Sequence, residues 1–522
     1  MWLYVDIALG LAVISLLYGL SKRRKKLNLP LPPGPKGAPL VGNLLQMPTE
    51  FEWIKFHEWC KEYNTDVLYL NIAGTEMIIL DSSKAATDLL ETRSSLYSGR
   101  PRLPMLNELV GGSWHVAVMP YGATWRKHRR FLHHSFHSAA TKEYRPHMTK
   151  SARNLLKRFL DDPNPFNIMP HLRHMAGETI LSIIYGIHIK DTNDPYLKTS
   201  EAGLHAITAA GVPGAFLVDA IPLLKCVPAW FPGASFQRKA REWSKAIRDM
   251  VEVPYAETKK NIESGKINVS MVLKGLQKME EGKEDEAFTR RSFRTPRLVF
   301  LQTVSAIASC ILGFLEHPEV LKKAQTQVDS VVEPGCLPGF EHESSLPYIT
   351  AITSEVLRWR DVVPIETEDE YKGYRLPAGA TIVPNAWAML HDENVYSDPF
   401  TFNPDRFINP QTGQVDYTHA RDPSHACWGF GRRVCPGRYM AFSATWLGIA
   451  SLVAVFDIEK AKEKVTVVGE DGIEIEEERT VELTRAYNSS LVIAPKPFEC
   501  VIKPRSKEKA DLIRESLIQD YD

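Results

Sequence analysis

The residues with the strongest chemical character lie between 424 and 440, "SHACWGFGRRVCPGRYM", where two cysteines stand eight positions apart among glycines and arginines. Gly429, Gly431 and Gly437 surround Cys435, a pattern that lets the backbone turn tightly and present amide N–H groups to the sulfur. Pro436 removes one competing donor, and Arg432 and Arg433 lie just upstream. Nearby cations and amide dipoles favour a thiolate over a thiol, which makes Cys435 the candidate reactive sulfur. Cys427 has no such cradle and reads as a small buried residue.

A lone thiolate suits haem iron better than a structural zinc, which takes four protein ligands. His425, Cys427 and Cys435 could supply part of a zinc site, but no fourth ligand is evident. The remaining cysteines (Cys60, Cys226, Cys310, Cys336 and Cys500) are scattered, with no C-x-x-C pair. An odd total of seven does not read as a disulfide framework, so a reducing compartment is expected for the body of the chain.

The 522 residues have room for a sizeable core to hold such a site. Lys plus Arg and Asp plus Glu both number 63, and no basic face interleaved with aromatics is found, so nucleic acid is not an expected partner. "WLYVDIALGLAVISLLYGL", Trp2 to Leu20, would span about 29 Å as a helix, close to the thickness of a bilayer core. The block "SKRRKK" follows it, and five consecutive cations there would hold that end on the cytoplasmic side. "LPLPPGPKGAPLVGN" then denies the backbone helical hydrogen bonds and predicts a stiff linker. The expected organisation is a transmembrane anchor over 1–21, a basic and proline-rich linker over 22–40, a catalytic body over 41–505 and a charged tail over 506–522.

The body reads as mostly α with a minor β part. "DVLYLNIAGTEMIILD" predicts a hairpin over 66–81, and amphipathic periodicity predicts helix through most of 82–160 and again over 236–259. "FLVDAIPLLKCVPAWFPGASF", 216–236, reads equally as a buried loop or as a surface that touches membrane or admits substrate. "EPGCLPGF" separates two helices, "YKGYRLPAGATIVPNAW" resembles short strands, and the C-terminal tail reads as a solvated helix.

The loop resembles the haem-binding segment of the cytochrome P-450 family, F-x-x-G-x-R-x-C-x-G, with Trp428, Gly431, Arg433, Cys435 and Gly437 on the pattern and Trp replacing Phe. The resemblance implies that Cys435 is the axial ligand of haem b (iron protoporphyrin IX) and that Trp428 packs by the sulfur. "EVLR" and "FNPDRF" supply Glu355, Arg358 and Arg406, which in the family form a buried charged cluster bracing the loop. "YGATWRKHRR" resembles the helix whose Trp and Arg, here Trp125 and Arg129, reach a haem propionate. The likeness covers nearly the whole chain and implies the P-450 fold. It leans toward fungal secondary-metabolite members, of the kind that includes O-methylsterigmatocystin oxidoreductase and tryptamine 4-monooxygenase.

That resemblance implies an endoplasmic-reticulum monooxygenase with its catalytic domain in the cytoplasm. It would oxidise an apolar terpenoid, polyketide or indole-type molecule with O2 and electrons from NADPH-cytochrome P-450 reductase. The chain departs from the family at two places. Leu301 and Gln302 stand where the long helix should carry an acid and a hydroxyl, leaving Thr303 as the nearest hydroxyl and catalytic candidate, and Pro296 lies just upstream. The segment after Arg360 is also short. These departures leave open a haem protein with impaired oxygen activation, or a reductase-independent isomerase or dehydratase.

Overall fold

The computed structural model describes residues 29–517, except 213–214, 267, 282–287, 289–291, 294–298, 360–364, 367–368, 469–473, 484–485 and 489–492. The expected anchor over 1–21, the basic block, Pro296, Arg360 and most of the shortened segment that follows it lie outside the described residues. What is described is mostly helical with a minor β part, as the periodicity predicts.

The longer helices are α1 (Glu52–Glu62), α2 (Ala123–Phe136), α3 (Arg145–Asp161), α4 (Ile168–Tyr185), α5 (Pro195–Ala210) and α6 (Ser235–Glu263). They continue with α7 (Met271–Glu280), α8 (Val299–Glu316), α9 (Pro318–Val331), α10 (Pro347–Trp359), α11 (Arg438–Val455) and α12 (Lys507–Glu515). The expected hairpin forms from β1 (Val67–Ile72) and β2 (Thr75–Leu80), with Ile72 opposite Thr75. Its two turn residues, Ala73 and Gly74, both take positive φ (49° and 92°), which suits the twist of a two-residue hairpin. β2 pairs in parallel with β4 (Thr381–Pro384), and β4 pairs antiparallel with β3 (Ile365–Glu366), giving the order β1-β2-β4-β3.

α11 is apolar almost all round, with Trp446, Leu447, Ile449, Leu452 and Val453 buried, and this is the signature of a helix enclosed by protein. Among the described residues it is the one helix long and apolar enough to cross a membrane, yet most of it is inside the core. It lies against α8 at Gly448, where a Cβ would come within 2.8 Å of Ile307 Cδ1. The central helix pair therefore approaches too closely there for any larger residue without a shift.

Three expectations change on contact with the structure. The helix predicted through 82–160 is interrupted between 93 and 122 apart from a short turn of helix at Met105–Leu109, because Pro101, Pro104, Gly111, Gly112 and Pro120 break it. The 216–236 stretch is not a buried loop: Leu217, Ile221, Leu223, Trp230 and Phe231 are exposed. The C-terminal tail is helical but only half solvated, since Ala510 and Ile513 are buried on the face toward the body.

A polar seam joins α3 to α4. Asn154 Nδ2 donates to Glu178 Oε1 (2.6 Å), Arg158 Nη2 lies 2.8 Å from His174 Nε2, and His147 Nδ1 meets Ser182 Oγ at 2.5 Å. Burial lowers the pKa of His147, His171 and His174 below the ordinary histidine value, and so does burial of His188 just beyond α4. Folding therefore favours their neutral forms. The stability they contribute is complete above about pH 6.5 and is lost as the pH falls through their lowered folded values. A urea midpoint that drops between pH 7.5 and pH 5, with a shallower drop in His174→Gln, is the expected result.

Candidate functional site

The site is built outward from a buried carboxylate. On α10, Glu355 and Arg358 stand three apart on one face, and both side chains are fully buried. Arg358 Nε and Nη2 donate to the two carboxylate oxygens at 2.8 Å each, a bidentate pair. Arg406 Nε lies 3.2 Å from Glu355 Oε2, and the Asn403 amide donates to Oε1 at 3.0 Å. The spare donors are satisfied too: Arg358 Nη1 on the Leu390 carbonyl, Arg406 Nη1 on Ser397 and Nη2 on Asp398 and Thr401. Burial lowers the pKa of Arg406, and the charge of Glu355 opposes that shift.

This cluster anchors residues 397–406, and Tyr396 extends it toward the cysteine loop. The Arg358 guanidinium lies 5.3 Å from the Tyr396 ring, and the Tyr396 hydroxyl donates to the Arg421 carbonyl (2.9 Å). Beyond Arg421 a short turn at Pro423–His425 leads into an apolar cluster that contains Cys427, Trp428, Phe430, Leu90, Ala386 and Leu390. Cys427 is buried in that cluster, as its lack of a cradle suggests.

From Trp428 the chain makes a closed loop. The Cys435 amide donates to the Trp428 carbonyl (2.8 Å), and a turn of 3-10 helix, Gly431–Arg433, lies between them. Gly429 and Gly431 take φ of 73° and 52°. At Gly431 a Cβ would fall 2.0 Å from the Leu90 carbonyl oxygen, so the glycine is needed both for backbone conformation and for close approach. Gly437 behaves differently: it begins α11 with an ordinary φ of −91°. Cys435 itself is half-buried, whereas Cys427 is closed off.

Arg433 ties this loop to a distant stretch. Its Nε and Nη2 donate to the Ser98 carbonyl (2.9 and 2.6 Å), Nη1 to Val116 (2.8 Å) and Nη2 to Met119 (2.9 Å). Its guanidinium also lies 4.4 Å from the Trp125 ring, an attractive cation–π distance. The Trp125 indole N–H donates to the Val116 carbonyl (3.1 Å), so in this arrangement the ring supports Arg433 and its donor is occupied. Burial brings the Arg433 pKa down to about 9, with Arg100 and Arg129 adding to the fall.

Arg129, one turn along α2 from Trp125, is held differently. No hydrogen bond or ion pair joins its guanidinium to another described side chain. Burial brings its pKa down to about 10, opposed by the charge of Cys435. A half-buried cation near Cys435, with no bond to another described side chain, is suited to an anionic group of a bound cofactor. Thr303 is buried on α8. Its neighbours are already engaged: Ser305 Oγ donates to the Ile493 carbonyl (2.5 Å), and Ser309 meets the Tyr487 hydroxyl (3.2 Å). His425, Cys427 and Cys435 do not form a metal-binding group among the described residues.

The family model for cytochrome P450 matches residues 32–475. The chain belongs to the cytochrome P450 family. It is 39% identical to cytochrome P450 monooxygenase 98 of Postia placenta, over 94% of each chain. It is 36% identical to cytochrome P450 monooxygenase ple1 of Rhodocybe pseudopiperita, over 96% of this chain and 95% of that one. Tryptamine 4-monooxygenase of Psilocybe cyanescens is 35% identical, over 97% of this chain and 98% of its own. This P450 is therefore a monooxygenase of the fungal type, and its cofactor is haem, iron protoporphyrin IX. The half-buried Cys435 and the unspent Arg129 fit that group in kind, one a thiolate for iron and the other a cation for a carboxylate.

Sequence reasoning did not find Ser98, Val116 and Met119, which meet Arg433 through backbone carbonyls and leave no side-chain signature. It also missed Tyr121, whose hydroxyl bonds Arg432 and whose ring lies 5.1 Å from Trp125. The aromatic in "PYGATW", four residues before the tryptophan, was its available signal. Removing the central carboxylate should collapse the arrangement. Glu355→Ala leaves two guanidinium groups buried without their anion, at a cost of about 3–5 kcal/mol. The expected result is a matching fall in unfolding free energy by urea titration, with loss of bound haem.

Proposed function

We propose that this P450 is a membrane-anchored haem-thiolate monooxygenase in which Cys435 would hold the haem iron through its sulfur. Its substrate is an apolar small molecule of terpenoid, polyketide or indole type in a secondary-metabolite pathway. The observation that carries the reading is the closed loop from Trp428 to Gly437, which leaves Cys435 half-open beside Arg129 while Cys427 is sealed in the core. When bound, haem supplies the activation of dioxygen. The residues here would hold and orient it: Cys435 would give an anionic sulfur, Trp428 would shield it from water, Arg129 would meet a propionate, and Arg433 fixes the loop. Thr303, buried on α8, is the hydroxyl that would deliver a proton in this reading.

Electrons are assigned to NADPH through a separate reductase. The supporting feature is charge: α2 carries no acidic residue, its Arg126, Lys127 and Arg130 are exposed, and Arg432 of the cysteine loop is exposed near Arg126 around Tyr121. Such a face steers an acidic partner to the thiolate side. Anchoring in the endoplasmic-reticulum membrane rests on the apolar run Trp2–Leu20 and its basic flank. The exposed Leu217, Leu223, Trp230 and Phe231 are suited to the interface of the same bilayer.

Two measurements test this. The reduced carbon monoxide complex of the wild type and of Cys427→Ala should show the thiolate Soret band, and Cys435→Ala should lack it. Survival of the band in Cys435→Ala would refute the ligand assignment. Arg130→Glu should lower reductase-supported turnover at low salt by about threefold to tenfold and leave the carbon monoxide spectrum unchanged. Equal turnover with peroxide alone would favour a reductase-independent reaction.

A further inference from the structure

The thiolate side of the molecule carries a cluster of histidines with no part in holding haem. An open cavity lies where the end of α2, the short helix Ser138–Lys142 and the start of α11 meet, and His133, His134, His137, Ser138, Lys142 and Tyr439 line it. His133 and His134 are exposed, and His137 is half-buried. Tyr439 is joined to the cysteine loop through Arg438, whose Nη1 donates to the Cys435 carbonyl (3.3 Å) and whose Nη2 donates to the Tyr439 hydroxyl (3.0 Å).

Two of the three histidines share a face. His133 and His137 stand four apart, and the His137 amide still donates to the His133 carbonyl (3.0 Å), so the helical turn that places one ring above the other is intact. Their ring centres are 5.9 Å apart. A zinc–nitrogen bond of about 2.1 Å puts two imidazoles on one tetrahedral ion with roughly 5–6 Å between ring centres, so a small side-chain rotation suffices. Two histidines at this spacing on a helix are a recurring zinc pair. His134 is turned about 100° round the helix from His133 and off that face. Among the described residues no three metal-ligating side chains are grouped to hold an ion together, so water completes the shell. His137 Nδ1 accepts only a long bond from the Ala140 amide (3.4 Å), and coordination through Nε2 moves the ring proton to Nδ1 and gives that bond up.

An imidazole pair takes a divalent transition ion rather than magnesium or calcium, which take oxygen ligands. Lys142 in the cavity wall and Arg130, nearly one turn before His133, oppose a cation, but both are exposed, where salt screens their charge. We propose that His133 and His137 bind one divalent ion of the zinc type in this cavity, and that the bound ion obstructs electron delivery on the thiolate side. The obstruction rests on the reductase assignment made above, and the site stands without it.

The probe is zinc chloride, titrated by calorimetry at about pH 7.5 into the full-length holoenzyme without reductase. The wild type should take up one ion with a dissociation constant of about 10 μM. His133→Gln and His137→Gln should each weaken that binding by about tenfold or more, because each removes one of two protein ligands, while His134→Gln leaves it unchanged. Lys142→Gln should tighten it about twofold to threefold, an effect that fades in high salt. Magnesium chloride should give no binding heat. Zinc uptake that is the same in His133→Gln as in the wild type overturns the site and moves the ion elsewhere, to the exposed Cys226 or Cys336 for instance. No uptake by the wild type overturns it as well. Saturating zinc should also lower the reductase-supported turnover of the wild type about fivefold and that of His133→Gln little, with the carbon monoxide spectrum unchanged in both. An equal fall in both proteins overturns the obstruction. A wild type that binds zinc yet has no reductase-supported turnover before zinc is added overturns the reductase assignment, and the obstruction with it, while the site stands.

Discussion

A carboxylate with no access to water is tolerated only if its charge and all its lone pairs are met, and Glu355 is such a group. Two guanidiniums and a backbone amide meet it, and the guanidiniums then use their remaining donors on carbonyls from four other places in the chain. Three of these carbonyls, on Ser397, Asp398 and Thr401, are loop positions with no strand or helix to fix them, and the fourth, on Leu390, closes a short helix over Ala386–Leu390. The cluster therefore converts a local charge requirement into the path of residues 390–406. Tyr396 passes that constraint to Arg421, and from there the chain has a short fixed distance to the cysteine loop. A hydrophobic contact of equal strength would not do this, because it lacks direction.

The cysteine loop needs a second constraint, because its turns are strained for most residues. Gly429 and Gly431 accept the left-handed conformation, and Gly431 lets the Leu90 carbonyl lie against the backbone. The thiolate side is in this way shaped by main chain, whereas Arg129 and Arg433 supply its charge. The two arginines differ in a way their positions in the sequence do not show. Arg433 spends its donors on protein carbonyls, and among the described residues Arg129 has no hydrogen-bonded side-chain partner.

Much of this could be read from the sequence where one residue type has one physical use. The hairpin over 66–81 and the glycines around Cys435 each have a narrow set of explanations, whereas Glu355, Arg358 and Arg406 were legible as a cluster through the family resemblance, since an E-x-x-R pair alone is usually a surface pair. The 93–122 region did not yield to the same reading, since its apolar residues keep helical spacing while its prolines and glycines forbid a continuous helix. The partners of Arg433 were illegible for a different reason. Carbonyl oxygens are present on every residue, so nothing marks Ser98, Val116 or Met119 as the acceptors. Trp125 was placed on the correct helix, but the neighbour its N–H meets is decided by the fold.

The grip of Arg433 on both ends of loop 98–119 has a consequence for variation. Closing the ends of a loop on one side chain fixes where it leaves and returns, and the entropy of the intervening chain grows only slowly with its length. Between about 102 and 114 the exposed positions Arg102, Glu108 and Ser113 can therefore vary, whereas Met105, Leu106 and Val110 are buried in the core and hold the stretch to the helices. A designer altering those exposed positions alone would leave the backbone at Ser98, Val116 and Met119, and with it the anchorage of the cysteine loop, as it stands.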